Sequence, residues 1–221
     1  MSQLLLDITP DWWPTLDNFV AGNNQELLAG LRDALKNKSG ERLFYVWGEH
    51  GCGKSHLLQA IIGAAQAVEL PAVYAKRSVP DVCTVVAVDD VDKLGEYAQI
   101  DLFNLYNQVR ESGGMLLVSG KNAPQNLALR KDLTTRLGWG LVYQLHTLSD
   151  EEKAVALAQH GISKGYKLSD EVIQYLLRHG RRDLPSLMAS LDELDAYSLS
   201  LHRAPSVPLL KQIMQTELEL K

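Results

Sequence analysis

Residues 48–55 read Gly-Glu-His-Gly-Cys-Gly-Lys-Ser and satisfy the pattern GxxxxGK[ST] without a mismatch. Gly48, Gly51 and Gly53 let a backbone curl until successive N–H groups point into one hollow, and a helix starting at Lys54 adds the positive end of its dipole. Such a hollow suits a polyphosphate. In it Lys54 would neutralise the β and γ phosphates and the Ser55 hydroxyl would hold a magnesium ion bridging them, with Cys52 and His56 in the same cofactor-binding set. The alternative is a glycine-rich turn that binds nothing. The flanks argue against it, because the apolar run 43–47 enters the loop as a strand and an apolar-periodic stretch leaves it as a helix.

A second constellation lies downstream, where Thr84-Val-Val-Ala-Val-Asp-Asp90 is a continuous apolar run ending in two carboxylates, a Walker B pattern. Asp89 is expected across from Ser55, holding magnesium, and Asp90 is placed to polarise the attacking water. Two aspartates at a strand end can also be a solvated turn; the phosphate loop upstream favours the chemical reading. Arg136 precedes a Gly138-Trp139-Gly140 turn. An exposed arginine is ordinarily a solvated charge, so on chemistry alone a role in trans is one option. The six histidines are scattered without metal-ligand spacing, so no metal beyond magnesium is implied.

These residues need a scaffold, and the pattern supplies one. A β-branched run without alternation marks a strand covered on both faces, hence a parallel sheet with helices on either side. Five strands are expected, at 43–47, 71–75, 84–90, 115–119 and 141–145. Asn23 or Asn24 should cap a helix carrying Leu27, Leu28, Leu31 and Leu35 on one face, and further helices are expected at 100–112 and 127–136. Residues 15–24 either contact an adenine base or form a structural collar. The connection 76–83 is too short for a parallel crossover with a helix, so either the second strand does not neighbour the third or the crossover is reduced to a loop. Lys121 and Asn122, after the fourth strand, either sense a γ-phosphate or form a plain turn. From Ser149 the pattern turns all-helical, with a capping box at 149–152 and helices at 169–179, 185–202 and 206–218. The expected architecture is α/β: a five-stranded parallel sheet flanked by helices in 15–148, an all-α lid in 149–221 and a tail in 1–14 that frays or docks.

Composition narrows the partners. Net charge is −5, with 13 Lys and Arg against 16 Asp and Glu in 1–148 and 9 against 11 in the remainder, so neither part is a basic module and direct duplex binding is disfavoured. Two cysteines, Cys52 and Cys83, read as reduced thiols of a cytoplasmic protein in preference to a redox pair. No basic leader precedes the Leu4-Leu5-Leu6 run and no apolar stretch approaches the ~18 residues needed to cross a bilayer, so no membrane partner is expected.

A phosphate loop, an Asp-Asp strand end, five strands and a helical lid together resemble the AAA+ P-loop ATPases. Asp17-Asn-Phe-Val-x-Gly22-x-Asn24 and Thr135-Arg136-Leu137-x-Trp139-Gly140-Leu141 are similar to the N-terminal and arginine-finger boxes of the bacterial replication initiator DnaA. Asp101-Leu-Phe-Asn-Leu-Tyr-Asn107 and Leu148-Ser-Asp-Glu-Glu-Lys153 narrow the likeness to the Hda family, the DnaA-like regulatory inactivators of that initiator. The likeness runs over nearly the whole chain from Gln3. It implies bound ADP or ATP with Mg2+, a catalytic Arg136 offered to the ATP of DnaA, negative regulation of replication initiation, and a possible homo-oligomer. It also implies docking of Gln3-Leu4-Leu5-Leu6-Asp7-Ile8 on the DNA polymerase sliding clamp, through Gln3, Leu4 and Leu6, with DNA contact therefore indirect. The chain carries neither the DNA-binding nor the N-terminal oligomerisation segment of DnaA, which favours the inactivator over the initiator.

This chain departs from the family at four places. Asp7 stands where the docking motif has proline, the 76–83 linker is shortened, Lys121-Asn122 replace an aspartate and arginine, and Pro185 falls on the lid's sensor arginine, with Arg181 and Arg182 one turn earlier as substitutes. Weak intrinsic hydrolysis is the expectation. The competing readings are an ATPase acting as helicase loader or truncated initiator, which the acidic balance discourages, and a small-molecule kinase, in which an arginine box has no task.

Overall fold

The computed structural model describes residues 14–37, 40–181 and 183–219, with only the backbone at 216–219. Gln3, Leu4, Leu6 and Arg182 lie outside the described residues. The chain divides into two compact units, Pro14–Ser149 and the helices from Asp150 onward.

In the first unit five parallel strands stand in the order β2-β3-β4-β1-β5: β1 Leu43–Trp47, β2 Ala72–Lys76, β3 Val85–Asp89, β4 Met115–Gly120 and β5 Leu141–Gln144. The continuous apolar runs follow from burial on both faces. Phe44, Val46, Val85, Ala87, Met115 and Leu117 join one core with α1 (Gln25–Lys36) and α2 (Lys54–Ala67). The alternate residues Tyr45, Val86, Val88, Leu116 and Val118 join a second core with α3 (Glu96–Ser112) and α4 (Lys131–Leu137). A strand whose side chains alternate between two cores has no solvent face, so period-two patterning vanishes from its sequence.

The short connection after β2 is resolved in favour of a loop. β2 pairs parallel with β3, Lys76 opposite Asp89, and the chain between them contains no helix. Elsewhere boundaries move for local reasons. α3 begins at Glu96 because its first turn is polar and carries Tyr97, 87% exposed, which hides it from an apolar-period reading. Residues 124–126 form a 3-10 turn and Leu127 is extended, so α4 starts only at Lys131. Asn24 makes no side-chain cap to α1. Its amide instead brackets the backbone of His146, with Nδ2 donating to His146 O at 3.2 Å and Oδ1 accepting from His146 N at 2.8 Å, which ties the N-terminal segment to the chain leaving β5.

The second unit is all helix: α5 Asp150–Ser163, α6 Asp170–His179, α7 Leu184–Ser200 and α8 Val207–Glu219. Leu157, Val172, Leu176, Leu191 and Leu210 are fully buried. Asp183 caps α7, accepting from Ser186 N at 3.0 Å. Pro185 sits in the first turn, where its missing N–H costs nothing, which accounts for a proline in this position.

Candidate functional site

The phosphate loop joins the end of β1 to α2 as the motif requires. Gly53 has φ +103° and is the N-cap of α2. Gly48 is needed for a different reason, since a Cβ there would lie 2.5 Å from the Leu145 carbonyl oxygen. The Lys54 ammonium folds back across the loop, donating to Gly48 O at 2.7 Å and Glu49 O at 2.8 Å. With the Cys52 Sγ at 3.7 Å as a further, weaker acceptor, it is held over the hollow chiefly by backbone carbonyls, bonds that a phosphate oxygen could exchange. Cys52 is buried and its thiol is pushed up by burial, against the nearby Lys54, so it stays protonated and belongs to the wall.

His56, one helix position after Ser55, lies under the N-terminal segment. Its Nε2 is 2.9 Å from Asn18 Oδ1 and 3.4 Å from Thr15 O, and its ring meets Phe19 at 5.6 Å between centroids. Burial lowers its pKa, with the Thr15 contact acting the other way, which keeps the imidazole neutral at pH 7. Residues 15–24 are therefore packed against the first turn of α2.

Asp89 is wholly buried at the end of β3. Ser55 Oγ donates to its Oδ2 at 2.6 Å, the contact anticipated from the spacing. Two more hydroxyls also converge on it: Tyr74 OH donates to Oδ2 at 2.8 Å, and Ser119 Oγ donates to Oδ1, which the Asp90 N–H reaches at 3.1 Å. Burial and the Asp89 carboxylate push the Tyr74 hydroxyl up to about 12, so it remains a donor. Tyr74 and Ser119 escaped sequence reasoning. The available signal was a polar residue near the carboxyl end of an otherwise apolar strand, Ser119 in Met-Leu-Leu-Val-Ser-Gly above all. Ser55 and Asp89 offer hydroxyl and carboxylate oxygens, hard donors that fit a magnesium ion held chiefly by phosphates; the described residues contain no cluster of three or more His, Cys, Asp or Glu able to hold a metal alone.

Asp90 does not stand free beside this network. Its backbone is left-handed, φ 58°, and its Oδ2 meets Arg77 Nε and Lys93 Nζ, each at 3.1 Å. Burial would raise its pKa, but hydrogen bonds from Lys93 and Arg77 and the charges of Lys93 and Lys76 hold it below the usual carboxylate value. Lys121 and Asn122 are exposed. The Lys121 N–H donates to Asp92 Oδ1 at 3.0 Å and the Asn122 carbonyl accepts from Tyr45 OH at 2.7 Å, so backbone anchors the loop after β4. Arg181 is exposed in the second unit.

Arg136 closes α4, half-buried, its guanidinium 4.2 Å from the Trp139 ring centroid and 5.4 Å from that of Phe103. Arg110 approaches the same Trp139 ring at 5.7 Å. The register of the strand after α4 locates this arginine relative to the sheet. β5 runs parallel to β1 with Leu141 opposite Phe44, so the turn holding Trp139 enters the sheet where strands begin. The phosphate loop leaves where they end. A five-residue strand at about 3.3 Å per residue separates the two edges, and Arg136 cannot serve the phosphate loop of its own chain.

Residues 150–214 match the family model for the Hda lid domain. An uncharacterized protein of Haemophilus influenzae is 34% identical, the match covering 90% of this chain and 93% of its own length. Among solved structures, domain III of the Thermotoga maritima replication initiation protein DnaA superposes with a TM-score of 0.81 at 20% identity, covering 94% of this chain and 98% of that one. AMPPCP-bound DnaA from Aquifex aeolicus gives 0.75 at 19% identity over 96% and 72%. The Thermotoga maritima RuvB Holliday junction branch migration motor gives 0.69 at 13% identity over 94% and 72%.

Proposed function

The chain belongs to the Hda-like, DnaA-related AAA+ proteins, and on that premise we propose that it is an adaptor that promotes hydrolysis of ATP bound to DnaA. In this reading residues 48–56 bind ADP or ATP, with Lys54 on the phosphates and Ser55 and Asp89 as the donors for Mg2+. Bound nucleotide fixes the conformation of the unit that carries Arg136. The clamp-docking residues Gln3, Leu4 and Leu6 concentrate the adaptor on DNA without a basic surface of its own.

One observation carries the proposal: Arg136 is on the opposite sheet edge from the phosphate loop. A guanidinium that cannot reach its own nucleotide, yet is held half-buried between Phe103 and Trp139, suits transition-state charge on a neighbouring chain. An arginine supplied in trans is worth ~10³ to 10⁵ in rate. The chain's part is to hold the arginine in one orientation, and the two aromatic faces do so at little cost in hydration.

The test is turnover of DnaA-bound ATP with sliding clamp loaded on DNA. The full chain should stimulate it and Arg136→Ala should remove ~10³-fold or more of the stimulation. Equal stimulation by wild type and Arg136→Ala would refute the assignment. Deletion of residues 1–8 should abolish retention on immobilised clamp; undiminished retention would reject that docking segment.

A further inference from the structure

Six arginines belong to the Pro14–Ser149 unit, and four of them end on oxygen. Arg32, Arg77 and Arg130 pair with Asp17, Asp90 and Asp132, and Arg42 donates to the carbonyls of Asn37 and Gly114. The other two are Arg110 and Arg136. Neither pairs with an oxygen among the described residues; both lie against the Trp139 ring, at 5.7 and 4.2 Å from its centroid. The two guanidinium carbons are therefore no more than about 10 Å apart, one Debye length at about 0.1 M salt.

Local structure explains each arginine separately: α3 and α4 both finish at this edge, and each carries its arginine in the last turn, where the helix dipole favours a cation. It does not account for two like charges gathered on one ring, which repel until an anion joins them. The ring is a fixed post. The Trp139 N–H donates to Arg136 O at 3.0 Å, and a Cβ on Gly140 would collide with the Leu43 carbonyl, so the turn lies pressed against the start of β1. The Tyr106 hydroxyl registers both cations. It is buried without a hydrogen-bond partner; burial raises its pKa, and the charges of Arg110 and Arg136 act to lower it. Glu41 acts on this hydroxyl in the other sense, but its Oε1 already accepts the N–H groups of Arg42 and Leu43, each at 3.1 Å.

We propose that Arg110 is the residue by which this edge tells a neighbour's nucleoside triphosphate from its diphosphate: it binds the γ-phosphate in the ground state, beside the Arg136 that acts on the transition state. The proposal rests on the reading that Arg136 serves a partner's ATP. The two arginines are held differently, which divides the work between them. Arg136 is half-buried and meets two rings, Phe103 and Trp139; Arg110 is exposed and meets one. A fixed guanidinium is preorganised for a transition state. An exposed one on a flexible stem acts on encounter and on ground-state binding. Loss of the γ-phosphate removes the anion that the two arginines share, so the edge holds a triphosphate-loaded neighbour and releases a diphosphate-loaded one.

The experiment is equilibrium binding of the full chain to DnaA loaded with AMPPCP or with ADP, run beside turnover of DnaA-bound ATP with sliding clamp on DNA. Wild type should bind the AMPPCP form ~10-fold or more tightly than the ADP form, the effect of one charge-assisted hydrogen bond. Arg110→Gln should bring the two affinities within about twofold of each other, chiefly by weakening the AMPPCP complex. In turnover it should raise the half-saturating concentration of the chain more than it lowers the rate at saturation. Arg110→Lys, which keeps a point charge for the phosphate, should recover most of the preference, and Arg136→Ala should lose the rate while keeping most of the preference. A preference that survives Arg110→Gln overturns the proposal, as does equal weakening of both complexes, the result a partner carboxylate would give. A fall in the saturating rate alone also overturns it, since that is what mere support of the Trp139 ring would give. If wild type neither binds DnaA nor stimulates its turnover, the reading of Arg136 falls together with this one; stimulation without a preference for the AMPPCP form overturns the role of Arg110 alone.

Discussion

Replacing Asp89 by alanine should cost the folded chain about 3–5 kcal/mol, and replacing it by asparagine only about 1–2 kcal/mol. The carboxylate is fully buried and receives the hydroxyls of Ser55, Tyr74 and Ser119 and the N–H of Asp90. A buried donor left without an acceptor costs roughly 1–3 kcal/mol. Hydroxyls can swivel toward other acceptors, and the Asp90 N–H also reaches Ser119 Oγ at 3.2 Å, so the alanine figure is set below the sum of four orphaned donors. Asparagine can keep its carbonyl oxygen toward Ser119 and the Asp90 N–H while its amide faces Ser55 and Tyr74, whose hydroxyls turn to accept. The assay is urea unfolding of the nucleotide-free chain followed by far-UV circular dichroism, comparing midpoints at matched slopes. An alanine variant less than about 1 kcal/mol below wild type, or an asparagine variant as unstable as the alanine one, would refute the view that this acid organises the strand ends as well as serving magnesium.

Trp139→Ala should reduce stimulation of DnaA-bound ATP turnover by about 5- to 30-fold, the equivalent of ~1–2 kcal/mol of cation–π support for Arg136, while Trp139→Phe keeps most of it; equal losses in both would point to a contact other than the stacked ring. His56 is held neutral, its folded pKa below the ordinary 6.5, so the unfolded state binds more protons and stability should fall as pH drops below about 6.5, levelling beneath the folded value. His56→Gln should remove that slope, measured as urea midpoints between about pH 7.5 and 5. Gly53→Ala must place a Cβ at φ +103° and 3.3 Å from the Phe19 ring, so ADP affinity should drop ~10-fold or more with the loop's strain; unchanged affinity would separate the Gly53 conformation from nucleotide binding.

The elements best read from sequence were those whose physics is local. The phosphate loop, the apolar strand before it and the helix after it need only glycine, hydrophobic and helix-forming residues in order, and Ser55 meets Asp89 as their spacing implies. What escaped depended on strand neighbours. Tyr74 reaches Asp89 only because β2 pairs with β3 in a register that puts Tyr74 opposite Ala87, and no pattern within residues 71–76 announces this. Asp90 was assigned to water for the same reason. Its carboxylate is claimed by Arg77 and Lys93, and the Arg77 contact exists only once the two strand ends lie together. Asn24 has the composition of a helix cap, but its side chain is taken by the His146 backbone 122 positions away.

The geometry of one sheet then constrains any assembly in which the arginine acts. The phosphate loop and the Arg77–Asp90 contact occupy the edge where strands end, and Arg136 with Trp139 occupies the edge where they begin. A face-to-face pair that joined like edges would bring two arginines together, or two nucleotides, and would complete neither site. Productive contact must therefore be head to tail, arginine edge against nucleotide edge, and such a contact leaves each chain with one edge open. In the proposed pairing with DnaA, Arg136 would face the initiator's ATP, and this chain's own nucleotide edge would be left open to a further arginine.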